Sequence, residues 1–104
     1  MKSNFQAAIR QQLEELESAK SADDVMRILG PDRNPYGPEW DGMASDAEGF
    51  FAGGDGTDVR YALIDAGWSQ MWAKAPYHYA MRAPDGSWAT YIEGDIYRGN
   101  KGGA

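Results

Sequence analysis

The chain has 104 residues, 42% of them apolar, with four Trp, six Tyr, three Phe, one His, no Cys and a formal net charge of −6. That length suits one hydrophobic core and not two, and so many rings can offset the entropy of ordering an acidic chain that would otherwise stay disordered. Lack of cysteine excludes disulfides, thiolate nucleophiles, Cys-type zinc sites and iron–sulfur clusters, and the acidic balance argues against general nucleic-acid binding. No cofactor is implied. No apolar run reaches the ~18 residues of a membrane span, and the N-terminus opens a polar helix in place of a signal segment. The expectation is a cytoplasmic protein with no membrane association.

Ser3 and Gln6 form a capping-box pattern, after which Phe5, Ile9, Leu13 and Leu16 recur at helical spacing, so a helix is expected to end near Lys20. Ser21 and Asp24 start a second helix, with Val25, Met26, Ile28 and Leu29 as its buried side. Gly30, as a left-handed C-cap, and Pro31, which lacks an N–H, stop it. The two helices read as a hairpin.

Residues 31–56 are rich in turn formers, with one helical turn conceivable around Asp46 to Ala52, and a connection that long is usually functional or mobile. Charge is concentrated here. Residues 1–56 hold eleven acids and five bases, whereas residues 57–104 hold five of each. From Asp32 to Asp58, seven carboxylates accompany only Arg33.

A third helix is expected from Gly56 to Ala66, with Asp55 as N-cap, Val59, Ala62, Leu63 and Ala66 on one face, and Gly67 after it. Strands Trp68–Ala75, Tyr77–Ala83 and Ser87–Tyr97 then suggest an antiparallel meander. A three-residue loop at Pro84-Asp85-Gly86 would set Tyr79 opposite Tyr91 and leave each face half polar. A four-residue loop, Pro84 to Ser87, collects the apolar side chains on one face, with Ala83 opposite Trp88, Met81 opposite Thr90 and Tyr79 opposite Ile92. The second register is preferred; it places His78 near Glu93 and Tyr91 on the polar face. The expected fold is a single α+β domain over residues 1–98: a helical hairpin, a long acidic loop, a third helix and a three-stranded antiparallel meander. Residues 99–104 form a glycine-rich tail expected to fray.

Gly53-Gly54-Asp55-Gly56-Thr57 is similar to the nucleotide-binding signature of diacylglycerol, sphingosine and NAD kinases. That signature follows a buried strand, and Ala47–Ala52 makes a poor one, so a glycine linker ending in an Asp N-cap is the plainer reading. A calcium loop counted from Asp55 would need a bidentate Glu where Ala66 stands. His78 with Glu93, and with Asp95 as a candidate third member across the strands, is the one acid–base pairing in view, but no nucleophile, metal ligand set or oxyanion donor accompanies it. The protein reads as a non-enzyme.

Most of the β-region rings (Trp68, Trp72, Tyr77, Tyr79, Trp88, Tyr91, Tyr97) suit a core, with Tyr91 and Tyr97 the candidates for exposed contacts. In the acidic segment, Tyr36 and Trp40 supply anchor-type rings beside Glu39 and Asp41, with Asp46 and Glu48 adding charge. The bland alternative is a solvated loop, and mimicry of nucleic-acid phosphates is a special case of docking. From Ala62 to Gly99 the strings ALIDAGW, YHYAMRAPDGSW and TYIEGDIYRG resemble small uncharacterised accessory proteins of actinobacterial phages and mobile elements. The resemblance carries no catalytic motif and implies an interaction role. The expected function is therefore binding of a basic protein partner through Tyr36, Glu39, Trp40, Asp41, Asp46, Glu48, Tyr91 and Tyr97. The alternatives are a small-ligand or nucleotide binder using Gly53–Thr57, and a homo-oligomer formed through the sheet edge or outer face.

Overall fold

Three amphipathic segments and a run of short aromatic strands must bury one another's apolar faces, and they do so as helices packed on one side of a sheet. The computed structural model describes residues 2–37 and 39–102, and the side chains of all of these except Lys2 and Ser3. The capping box expected at Ser3 rests on a side chain outside those described. Helix α1 (Lys2–Leu16) turns Ile9 and Leu16 into the core and packs Phe5 and Leu13 against it. It stops four residues earlier than its spacing suggests. Ala19 is buried there so that its carbonyl can accept the indole N–H of Trp68 at 2.8 Å, and a continued helix would have claimed that carbonyl.

Helix α2 (Ala22–Leu29) is capped by Ser21, whose side chain accepts the Asp24 N–H, and buries Val25, Met26, Ile28 and Leu29. Gly30 follows it in an extended conformation, φ −69°, not in the expected left-handed one. Glycine is needed there for space, because a Cβ would fall 2.5 Å from the Met26 carbonyl oxygen. Helix α3 (Gly56–Asp65) starts at Asp55, which accepts the Thr57 N–H at 2.9 Å, and buries Val59, Ala62 and Leu63.

The α+β class stands, but the sheet has five strands and not three: β1 (Gly49–Phe50), β2 (Ser69–Ala75), β3 (His78–Arg82), β4 (Trp88–Ile92) and β5 (Asp95–Arg98), in the antiparallel order β1-β5-β4-β3-β2. The expected third strand is two, split by a Glu93-Gly94 turn with φ of 50° and 100°. Paired positive φ values give the mirror-image turn whose twist suits a two-residue hairpin. Strand β1 comes from the end of the acidic loop. Helix α2 lies over β4 and β5, α3 lies over β2 and β3, and α1 packs on both α2 and α3.

The β3–β4 register also differs from the preferred one. Tyr79 pairs with Tyr91, Met81 with Ala89 and Arg82 with Trp88, so the loop is the three-residue Pro84-Asp85-Gly86. Gly86 supplies the left-handed residue, φ 93°, and the closing bonds run from Ala83 N–H to the Ser87 carbonyl and from Gly86 N–H to the Ala83 carbonyl, so Pro84 has no N–H to miss. The inner face then carries Tyr79, Met81, Ala89, Tyr91 and Ile96 in the main core.

The outer face is covered too. Thr90 is fully buried there, donating to the Gly99 carbonyl and accepting the Lys101 N–H, while Trp72 donates to Asn100 Oδ1 and Lys74 to the Gly102 carbonyl. Residues 99–102, expected to fray, are thus tied across the sheet.

Glutamate at a positive φ strains the backbone where asparagine would not. Glu93→Asn is expected to stabilise the fold by about 1 kcal/mol, read as a melting temperature about 5 °C higher. An unchanged or lower melting point would contradict the turn geometry.

Candidate functional site

The acidic connection is fixed at both ends. At its start the buried Gln12 side chain donates to the carbonyls of Ile28 and Arg33, each at 3.1 Å, and the Arg33 guanidinium makes a two-bond fork with Glu15 at 3.0 and 2.7 Å. That fork holds the Glu15 carboxyl below its usual range. At its end the Glu48 N–H bonds to the Ile96 carbonyl at 2.9 Å, and Ala44 N–H to Asp95 Oδ1 at 3.2 Å.

Between these anchors an Asx turn, Tyr36 N–H to Asn34 Oδ1 at 3.0 Å, and a left-handed Gly37 bring Tyr36 and Trp40 together. Their rings stack at 5.0 Å and 25°. Phe5 packs on Tyr36 at 5.1 Å and Phe50 on Trp40 at 4.5 Å, so a four-ring cluster joins α1, the loop and β1. Trp40 is half-buried, whereas Tyr36 remains 50% exposed. Glu39 and Asp41, on either side of Trp40, are exposed and have no ion-pair partner among the described residues.

Asp46 and Glu48 are placed differently from what their sequence neighbourhood suggests. Glu48 accepts Arg98 Nε at 2.6 Å, Arg98 also pairs with Asp23, and Asp46 pairs with Lys101. The Lys101 ammonium keeps Asp46 below the usual carboxylate range. Both carboxylates therefore bind the connection to the C-terminal strand and tail.

Tyr91 and Tyr97 are not the exposed contacts expected of them. The register turns Tyr91 inward, 4% exposed, with its ring on Tyr79 at 5.0 Å and 10°. Its hydroxyl is pushed up to about 12 by burial, with Asp55 and Asp95 adding to the shift. Tyr97 faces outward but is only 8% exposed, covered by Lys101, whose ammonium sits 4.5 Å from the ring centre. The His78–Glu93 pair does not form either. Ile92 stands opposite His78, whose Nε2 is buried without a partner beside the Trp72 ring, and Glu93 occupies the neighbouring turn.

Of the Gly53–Thr57 string, Asp55 caps α3 and Gly56 allows the Tyr91 ring to approach, since a Cβ there would lie 2.5 Å from it. Beside this turn lies a groove of about 290 Å³, walled by Tyr36, Phe50, Phe51, Tyr77 and Tyr91 and bearing Glu93. Sequence patterning missed Tyr77 and the role of the Glu93 turn. The signals were an aromatic residue in the two-residue Pro76-Tyr77 turn, where it must be exposed, and Glu-Gly between two alternating runs. Among the described residues no helix is long and apolar enough to cross a membrane, and no group of three or more His, Asp or Glu could hold a metal ion. No family model, curated protein or solved structure matches the chain.

Burial raises the Asp95 carboxyl above its usual range; the Ala44 N–H opposes this, and Asp46 and Glu93 reinforce it. A carboxyl raised on folding ionises more readily in the unfolded chain, so its stabilising contribution is present at low pH and is lost as pH rises through the unfolded and then the folded value. Asp95→Asn keeps an acceptor for Ala44 and is expected to melt higher than wild type at pH 7, with the gain shrinking toward pH 3. Parallel melting curves at both pH values would contradict this.

Proposed function

We propose that the protein is a cytoplasmic, non-enzymatic binding protein that docks a basic protein partner on the face built by the acidic connection and the adjoining end of the sheet. A phage or mobile-element accessory or inhibitor role is the setting we propose for it. The observation that carries the reading is the state of Tyr36 and Trp40. They are held rigidly by stacking, yet Tyr36 keeps half its surface in water beside the unpaired carboxylates of Glu39 and Asp41.

A pre-organised ring loses little entropy on contact, and unpaired surface charge speeds encounter with an opposite surface. The charge available for docking is narrower than composition suggests, because Asp46 and Glu48 are bonded within the fold. The nucleotide alternative has less support, since Asp55 spends its carboxylate on the Thr57 N–H and Gly56 makes room for Tyr91. Self-association through edge strand β2 meets two register irregularities, between Gln70 and Trp72 and between Ala73 and Ala75, of the kind that blunt exposed edges.

Panning a random-peptide display library on the immobilised protein tests the docking reading. Enriched peptides should carry excess Lys and Arg beside an apolar anchor. The double variant E39K/D41K should bind them at least about ten-fold more weakly while melting like wild type. Enrichment of acidic or neutral peptides, or binding indifferent to the double reversal, would overturn it.

A further inference from the structure

The groove beside Tyr36 combines aromatic walls with a single carboxylate. Its walls are rings, its one ionisable carboxylate is Glu93, and among the described residues no lysine or arginine lines it. Two of the large apolar side chains most exposed to water, Tyr36 at 50% and Tyr77 at 55%, both border it. Tyr36 is fixed by Phe5 and Trp40, so that wall is in place before any ligand arrives.

Glu93 is exposed and has no ion-pair partner among the described residues, and its backbone sits at φ 50°, a conformation glutamate adopts at a cost. Phe50 approaches through the space that Gly94 leaves, where a Cβ would lie 2.5 Å from the ring. The cations that neutralise other carboxylates of this region, Arg98 and Lys101, are bonded to Asp23, Glu48 and Asp46. The Tyr91 ring borders the groove, and its hydroxyl resists ionisation, through burial first and then through the nearby charges of Asp55 and Asp95. Ring faces beside an unpaired carboxylate attract cations and repel anions.

We infer that this groove receives the guanidinium of an arginine side chain from a protein partner, laid against the tyrosine rings and paired with the Glu93 carboxylate. The inference rests on the docking reading above and deepens it by naming the side chain recognised. Arginine fits better than lysine because its planar cation stacks on aromatic faces and presents a two-donor edge to a carboxylate, whereas an ammonium is a hydrated point charge.

Amide chemical-shift titration of the full chain with the capped tripeptide Gly-Arg-Gly, raised through the millimolar range, tests the assignment. Saturable shifts are expected at Tyr77, Glu93 and Gly94. The citrulline peptide, equal in shape and uncharged, should produce none, and the lysine peptide should bind more weakly. Glu93→Asn, expected to be the more stable protein, should bind the arginine peptide at least about five-fold more weakly, and Tyr77→Ala should do the same. Absence of saturable shifts at these residues, equal response to citrulline or lysine, or full binding by both variants would overturn the groove assignment. If library peptides still bind in a manner abolished by E39K/D41K, only the groove assignment fails; if that binding is also absent, the docking reading fails with it.

Discussion

Tyr79 and Tyr91 lie ring over ring on the inner sheet face, 5.0 Å apart and 10° from parallel, and the placement of Tyr77 and Glu93 at the groove follows from that pairing. Side chains alternate across a strand, so a one-residue slip between β3 and β4 would turn one of the two rings outward. Tyr79 satisfies its hydroxyl inside the core by donating to the Gly56 carbonyl at 2.6 Å, and Gly56 in turn lets the Tyr91 ring close against the start of α3. With this register the Glu93-Gly94 turn falls at the same end of the sheet as Tyr77, whose carbonyl accepts the Glu93 N–H at 2.8 Å. The groove is the consequence at the sheet's end of a register fixed at its centre.

The acidic connection has two parts with different physical roles. One part spends its charge internally: Glu48 on Arg98, Asp46 on Lys101, and Arg33 on Glu15 at the opposite end. Each such surface pair is worth little alone, but together with the buried Gln12 bonds and the pairing of β1 on β5 they close a long segment at both ends. The other part, from Tyr36 to Asp41, is held by ring stacking and keeps its carboxylates free. A face that is both ordered and unneutralised is the kind of surface that binds without rearrangement.

Much of the helical half was legible in the sequence, because Ile9, Leu16, Val25, Ile28, Val59 and Leu63 sit at spacings that a one-sided core imposes. The sheet was less so. Counting polar residues per face presumed a dry face and a wet one, and Thr90 breaks that presumption: it is polar, fully buried and satisfied by tail residues nine and eleven positions away. Strand β1 is a Gly-Phe dipeptide, too short to carry alternation. At the Glu93-Gly94 turn only the glycine signals a positive φ, since glutamate has no preference for the φ of 50° it adopts. Asp46 and Glu48 looked free because their cations, Lys101 and Arg98, are 55 and 50 residues away. Pairings at that separation depend on topology, which local pattern does not encode. The rings Tyr36 and Trp40, in contrast, stand out in a glycine-rich acidic stretch, and they stack on each other between Phe5 and Phe50.

We propose that a basic partner seats on the face bounded by Tyr36, Glu39, Trp40, Asp41, Tyr77 and Glu93. Amide hydrogen exchange of the full chain, alone and saturated with the tightest basic peptide that it selects, tests this most directly. Slowed exchange is expected only at residues 36–41 (proline excepted), 77 and 93–94. Protection centred on helix α3 and strand β2, or on the tail-covered outer face of the sheet, would contradict it.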